Sequence, residues 1–225
     1  MNSDSRESIR QRYLHVDASN VADALDHFGY PDQGLAAEFT PYPATAGRMA
    51  GWAYTIRGQM TPYPISGGDA EKMKACQGLS AGEISVWAGD GHGVCYFGEL
   101  IALGMRERGS VGALLDGGIR DVKWLGHHGF PVYARYRTPV QSIGRWKVEA
   151  WQVPVFLRGA TIRHVKVTPG DFILADEDGA IVVPAEAVEK VLAEAERLTE
   201  QEVRIRADLS AGLTLSEALE RYGHV

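Results

Sequence analysis

The sequence Ala-Leu-Leu-Asp-Gly-Gly-Ile-Arg-Asp, residues 113–121, is the stretch that decides the fold. Residues 113–115 are apolar and predict a short buried strand. Residues 116–118 predict a glycine-containing turn at the end of that strand. Residues 122–128 predict a helix directly after this stretch. A strand end followed by glycines is a common place for a ligand, because the backbone can approach a bound molecule closely there.

Arg120 and Asp121 close this stretch, and both side chains suit a small acidic ligand. Arginine presents a planar fork of donors that matches a carboxylate or an enolate oxygen. Aspartate is a hard oxygen ligand suited to Mg²⁺ or Mn²⁺. Taken alone, however, the pair is better explained as the start of the next helix, with Asp121 stabilised by the helix dipole.

A second motif, Gly98-Glu99-Leu100-Ile101, begins a predicted helix over residues 99–108. Free backbone N–H groups and the helix dipole make such an N-terminus an anion site, and the carboxylate of a keto acid fits there. The alternative is an ordinary helix start in which Glu99 is a favourable acid of the first turn. This alternative is the better one if the motif stands alone.

A glycine-rich loop, residues 89–93, contains Asp90 and His92. Asp90 is equally well explained as a ligand of a metal or its water and as an exposed turn residue, whereas His92 is better explained as a turn residue. The acidic segments 169–171 and 176–179 lack the ligand spacing of a calcium-binding EF-hand and predict tight turns between strands.

The remaining pattern predicts alternating strands and helices in the first half and mostly strands in the second. Apolar periodicity predicts a first helix over 19–28, strands over 49–56 and 84–88, and a long amphipathic helix over about 185–207. Further strands are predicted over 132–136, 153–156, 161–167, 171–175 and 180–183, with a short capped helix near the end of the chain. The mixture predicts an α/β layered domain.

The composition limits the classes of protein to which the chain can belong. The chain has 225 residues, a hydrophobic fraction of 45% and a net charge of -6, which favour one globular domain and argue against a nucleic-acid binder. Cys76 and Cys95 lack the spacing of a zinc site and predict free thiols. The sequence contains no apolar run long enough to span a membrane, and we expect a cytoplasmic protein.

Taken in order, these segments resemble the RraA-like family, which includes 4-hydroxy-4-methyl-2-oxoglutarate aldolases and regulators of ribonuclease E activity. The resemblance begins at residues 21–25 and is sharpest over residues 98–102 and 116–121. It returns at 153–155, 169–171 and 178–184. No single segment is specific, but the ordered set is. The resemblance implies a layered β/β/α swivelling-type domain over residues 1–225, with a C-terminal helical extension over about 185–225.

The resemblance also implies a site. The turn at Gly98, Glu99, Leu100 and Ile101 binds a substrate carboxylate through backbone amides, Arg120 contacts the substrate's oxygens, and Asp121 binds Mg²⁺ or Mn²⁺. It implies a homotrimer or homohexamer whose site lies between subunits, with a glutamate from the neighbour's C-terminal helix near the metal. Glu196 is the candidate for this residue, and Glu194 and Glu200 lie close enough in sequence to compete with it.

The implied reaction is the cleavage of a 4-hydroxy-2-oxo acid or the decarboxylation of oxaloacetate, since both produce the enolate of pyruvate. A water on the metal or held by Asp90 is the expected base. The sequence gives no reason to expect a lysine that forms a Schiff base with the substrate. Lys123 is interpreted as a solvated helix residue. A long segment over 136–163 and additional aromatics (Tyr42, Trp52, Tyr54, Tyr63, Trp146, Trp151) depart from the family and suggest a different substrate pocket.

Three other functions compete with this one. A catalytically silent regulator that docks to a ribonuclease is the main alternative. A related lyase or hydratase for an aromatic or sugar-derived keto acid is another. A methyltransferase is disfavoured, because no glycine-rich adenosylmethionine loop follows the first strand.

Overall fold

The computed structural model describes residues 3–64, 69–89 and 91–223. The helices in these residues are α1 (Ser3–Tyr13), α2 (Ala18–His27), α3 (Ala70–Gln77), α4 (Glu99–Arg106), α5 (Val122–His127), α6 (Val188–Ser210) and α7 (Leu215–Tyr222). The strands are β1 (Thr40–Tyr42), β2 (Met49–Met60), β3 (Glu83–Ala88), β4 (Cys95–Phe97), β5 (Gly112–Ile119), β6 (Val132–Arg137), β7 (Trp146–Trp151), β8 (Val155–Arg158), β9 (His164–Val167), β10 (Phe172–Asp176) and β11 (Gly179–Val183).

The strands form one large mixed sheet and a separate ribbon. The order in the sheet is β1-β6-β5-β3-β2-β10-β11, with β4 beside β5 and β7 beside β2. Strands β2, β3, β5 and β6 are parallel neighbours, because α3, α4 and α5 supply the crossover connections that parallel strands require. β1, β7, β10 and β11 pair antiparallel, as do β8 and β9 in the ribbon.

Three layers follow from the alternation of side chains along the strands. In β5, Ala113 and Leu115 pack in the cluster beneath α3, α4 and α5. Leu114 points to the opposite face, where it packs with Val155 and Val167 of the β8–β9 ribbon. The α/β layered prediction is therefore confirmed, with helices on one face of the sheet and a β ribbon on the other.

A third cluster lies where α1, α2 and α6 cover the end of the sheet that contains β10 and β11. Tyr13 of α1 stacks on Phe172 at 4.3 Å between ring centroids, and its hydroxyl donates to the Val188 carbonyl at 2.8 Å. Among the described residues, no helix combines the length and the apolar character needed to cross a membrane.

The prediction that the central strand ends at residue 115 is wrong, because β5 continues through both glycines to Ile119. Tyr96 explains the continuation. Its buried ring lies against Gly117, where an added Cβ would come within 2.0 Å of the hydroxyl, and that hydroxyl donates to the Asp116 carbonyl at 2.5 Å. The glycines make room for aromatic rings on the sheet and do not form a turn.

Strand β4 was not predicted from the sequence, although it determines where the two site motifs lie. β4 runs parallel to the end of β5, with Cys95 beside Gly118 and Phe97 beside Ile119. The Arg120 N–H then donates to the Phe97 carbonyl at 3.2 Å. The two sequence motifs at 98–101 and 120–121 are thereby brought side by side.

The interpretation of the additional aromatics as lining for a substrate pocket is wrong for three of them. Trp146 lies in β7, paired with β2, and stacks on Tyr96 at 4.2 Å between ring centroids. Trp52 packs edge-on against Phe172, and the Tyr54 hydroxyl donates to a carbonyl of α3. These three residues therefore belong to the core, where aromatic side chains bury large apolar areas.

Replacing Gly117 by alanine tests the contact that sets β5 against β4. Gly117→Ala forces a methyl group into the buried ring of Tyr96, so we expect a loss of about 1–3 kcal/mol in the free energy of unfolding. Gly104→Ala is the matched control, because Gly104 is exposed in α4 with no atom within 4 Å of an added Cβ. The control should gain up to about 1 kcal/mol. Urea denaturation measures both, and an unchanged stability for Gly117→Ala would contradict the packing described above.

Candidate functional site

A cavity of about 190 Å³ lies where α4 begins beside the end of β5. The residues that line it come from β4, the first turn of α4, the segment after β5, the start of α3 and the segment before β7. They are Asp69, Lys72, Met73, Cys95, Tyr96, Phe97, Gly98, Leu100, Ile101, Arg120, Asp121, Gln141, Ser142 and Ile143. Five of the residues that the sequence singles out thus lie around one cavity: Gly98, Leu100, Ile101, Arg120 and Asp121.

The first turn of α4 presents backbone donors at this cavity. The Glu99 N–H donates to Asp121 Oδ2 at 3.2 Å. The N–H groups of Leu100 and Ile101 belong to the same first turn, where helix geometry supplies no carbonyl partner. Glycine is needed at residue 98 for the start of α4 to lie this close to Asp121, because a Cβ there would lie 2.6 Å from Asp121 Oδ2. The arrangement is a helix start with free N–H donors, one of which already binds the Asp121 carboxylate.

Arg120 and Asp121 project from the junction between β5 and α5. The Arg120 Nε lies 3.5 Å from Asp121 Oδ2, and roughly half of the Arg120 side chain is exposed. Asp121 has a backbone φ of 59°, in the left-handed region that residues with a Cβ rarely adopt. This conformation turns the Asp121 carboxylate back toward α4, and the side chain makes no capping bond to α5. Asp121 therefore begins α5, as the alternative interpretation expects, and its carbonyl accepts from the Trp124 and Leu125 N–H groups, but its carboxylate faces the start of α4.

The other predicted residues take different places. The Glu99 carboxylate lies 3.2 Å from His128 Nε2, so only the backbone of Glu99 is beside Asp121. His92 is exposed, as expected for a turn residue. Asp90 lies outside the described residues. Among the described residues, no group of three or more His, Cys, Asp or Glu side chains is arranged to hold a metal ion.

Glu196 lies on α6, where Arg12 of α1 binds both of its carboxylate oxygens at 2.6 and 2.7 Å. A separate surface depression contains this pair. The two competing glutamates have ion-pair partners on α6 itself, Arg197 for Glu194 and Arg204 for Glu200. Within a single chain, none of the three lines the cavity at Arg120.

The sequence interpretation missed Lys72, which lies on the cavity wall formed by α3. Asp69 caps α3 by accepting from the Lys72 N–H at 2.9 Å, and the Lys72 side chain then turns inward. The only sequence signal was an Asp followed by residues that favour a helix, Ala70 to Gln77, ahead of Gly78. That signal is weak for a helix of 8 residues, and it carries no information on the direction of the lysine side chain.

Burial shifts the pKa values of the ionisable groups in this wall of the cavity. Desolvation lowers the pKa of Lys72 to about 8, because the charged form loses its water. Desolvation also raises the pKa of the Cys95 thiol, although Arg120 and Lys72 act in the opposite direction. Cys76, the second cysteine, has its pKa raised to about 11 by the same effect. Both thiols are free, as predicted, and a raised pKa makes them poor nucleophiles.

Comparison with known proteins gives the relationships of the chain. A family model described as RraA-like, Aldolase/RraA, matches residues 18–182. Protein DlpA of Legionella pneumophila is 28% identical over 226 residues, or 98% of this chain, but the chain spans only 34% of DlpA. The 4-hydroxy-4-methyl-2-oxoglutarate aldolase of Thermus thermophilus is 29% identical over 157 residues, which cover 69% of this chain and 87% of that protein.

Solved structures show the same fold. An uncharacterized protein from Pseudomonas syringae pv. tomato superposes with a TM-score of 0.83 at 26% identity, covering 96% of this chain and 94% of that one. The RNA-processing inhibitor RraA from Thermus superposes with a TM-score of 0.57 at 26% identity, covering 75% of this chain and 92% of that one. These likenesses confirm the fold that the sequence predicted.

The left-handed backbone at Asp121 is open to a direct stability test. Asp121→Gly and Asp121→Ala both remove the carboxylate, but only alanine keeps a Cβ in the left-handed region. We expect Asp121→Gly to be more stable than Asp121→Ala by about 1 kcal/mol, measured as the difference in free energy of unfolding in urea. Equal stabilities, or a more stable alanine variant, would show that the backbone at residue 121 is relaxed.

Proposed function

Because the chain belongs to the RraA-like family, we propose that it is a divalent-metal-dependent lyase that cleaves a 4-hydroxy-2-oxo acid to pyruvate. The substrate is of the 4-hydroxy-4-methyl-2-oxoglutarate type, and oxaloacetate decarboxylation is a second activity of the same site. The observation that carries the proposal is the meeting of Arg120 and Asp121 with the first turn of α4 in one cavity. Aldolase relatives support a lyase at the level of the family.

The residues present fit a divalent cation such as Mg²⁺ or Mn²⁺. Asp121 is the ligand, since its carboxylate borders the cavity and is about one-third exposed. One carboxylate is enough for Mg²⁺, which usually keeps several waters and takes its other ligands from the substrate. When bound, the cation supplies Lewis-acid chemistry at the oxygens of a 2-oxo acid.

The protein's own groups orient the substrate. The N–H groups of Leu100 and Ile101 bind the carboxylate next to the 2-oxo group, supported by the positive end of the α4 dipole. The Arg120 guanidinium donates to the oxygen that becomes the enolate when the C–C bond breaks. A donor aimed at developing charge lowers the barrier, because it binds the transition state more tightly than the substrate.

The cleavage also requires a base for the 4-hydroxyl proton. We propose a water for this role, held by Asp90, which follows the end of β3 in the sequence. Lys123 has no part in it, since its side chain is exposed and its ammonium lies 5.6 Å from the ring of Trp124.

We further propose that the site is completed by a second subunit in a homotrimer or homohexamer. Leu100 is 76% exposed at the cavity, and Trp124 of the adjacent α5 is 51% exposed. A shallow groove bounded by Arg120, Asp121 and Arg137 shares Arg120 and Asp121 with the cavity. Exposed apolar side chains around a site are typical of a surface that a partner subunit covers.

The activity test is a coupled assay for pyruvate release from oxaloacetate and from 4-hydroxy-4-methyl-2-oxoglutarate. We expect turnover with Mg²⁺ or Mn²⁺ and none with EDTA. Arg120→Ala should lower kcat by about 100-fold or more, as the loss of one transition-state donor does elsewhere, and Asp121→Ala should abolish metal-dependent turnover. Lys123→Ala, the matched control, should keep full activity. Absence of turnover on both substrates would contradict the lyase and favour a ribonuclease regulator.

Glu196 gives a separate test of the intersubunit site. If Glu196 acts on the neighbour's metal, Asp121→Ala and Glu196→Gln oligomers are each impaired, but mixed oligomers contain some sites with both residues intact. We expect activity to return when the two variants are refolded together, with mixing verified by native mass spectrometry. Glu189→Gln is the control and should be fully active alone, because Glu189 is an exposed residue of the same helix and is not a candidate for this role. Full activity of Glu196→Gln alone would remove Glu196 from the site.

A further inference from the structure

Lys72 is a buried cation that the proposed chemistry does not use. Its side chain lines the same cavity as Arg120 and Asp121, yet the residue is only 7% exposed. Its Nζ donates to Ser142 Oγ at 3.4 Å, and among the described residues no carboxylate lies within 4 Å of it. An ammonium group has three donors, and the described residues engage one of them, in a long hydrogen bond.

The surroundings of Lys72 restrict where a further partner can bind. Its Nζ lies 5.7 Å from the centroid of the Trp87 ring and 5.9 Å from that of Trp146. Two indole rings stabilise a cation but accept no conventional hydrogen bond. The donors that no described residue engages can bind a polar partner in the cavity, and such pairing is favourable because a buried charge without a partner is costly.

The charges that line the cavity favour an anionic partner with two acid groups. Lys72 and Arg120 are balanced by Asp69 and Asp121, so the wall by itself is close to neutral. A divalent cation at Asp121 leaves an excess of positive charge that a dianion neutralises. Asp69 Oδ2 is also buried without a hydrogen-bond partner among the described residues, and it can accept from a substrate hydroxyl or a water.

We propose that Lys72 binds a second, distal carboxylate of the substrate and makes the site selective for dicarboxylic over monocarboxylic 2-oxo acids. This role rests on the proposed 2-oxo acid chemistry, in which the first turn of α4 and Arg120 bind the other end of the molecule. Lys72 is then a specificity-determining residue, and Ser142 positions its ammonium group.

The test compares the binding of two probes of equal carbon number, 2-oxoglutarate and 2-oxopentanoate, by calorimetry with Mg²⁺ present. The wild-type protein should bind 2-oxoglutarate about tenfold or more tightly, as expected for a hydrogen bond between charged groups. Lys72→Met should lose that preference by weakening 2-oxoglutarate alone. Lys74→Met is the matched control, because Lys74 lies on the same helix, is exposed and pairs with Glu71. It should bind both probes like the parent.

A thermal melt controls for folding, and we expect Lys72→Met to be at least as stable as the parent, because the substitution removes the desolvation cost of a buried charge. Equal weakening of both probes in Lys72→Met, or an unchanged preference, would overturn the role of Lys72 alone. Trapping of pyruvate on Lys72 by borohydride, detected by mass spectrometry, would make it a Schiff-base residue and would also overturn the proposal. Failure of the wild-type protein to bind either probe would instead count against the proposed function.

Discussion

The pairing of β4 with the end of β5 is the contact on which the site depends. Tyr96 lies flat against Gly117, and the Arg120 N–H donates to the Phe97 carbonyl. These contacts hold the start of α4 beside Arg120 and Asp121, although Glu99 and Asp121 are 22 positions apart along the chain. A side chain larger than glycine at residue 117 would push the strands apart and separate the anion-binding turn from the guanidinium.

The same contact also bears on the wall of the cavity that contains Lys72. Tyr96 stacks on Trp146, and Trp146 with Trp87 forms the aromatic floor above which the Lys72 ammonium lies. The cavity wall at Lys72 thus packs directly on the core that lies between the sheet and the helices. Asp121 lines the same cavity, with its backbone in the left-handed region and its carboxylate beside the Glu99 N–H.

The sequence predicted the fold class and most helices, because periodic apolar residues determine which faces are buried. It failed at β5, where Gly117 and Gly118 have the local signature of a turn but are required by the tyrosine rings that cover them. It also missed α3 and β4, whose short lengths carry little periodicity. In the site, Arg120 and Asp121 were identified by type and order, whereas Lys72 was not, since its inward direction depends on tertiary packing.

The proposed lyase requires a 2-oxo acid and a divalent cation to meet at Gly98, Arg120 and Asp121. A crystal structure with Mn²⁺ and oxalate, a stable mimic of the pyruvate enolate, measures this directly. We predict an anomalous manganese peak at the Asp121 carboxylate, with oxalate contacting Arg120 and the N–H groups of Leu100 and Ile101. Manganese bound away from Asp121, or oxalate bound outside this cavity, would contradict the account.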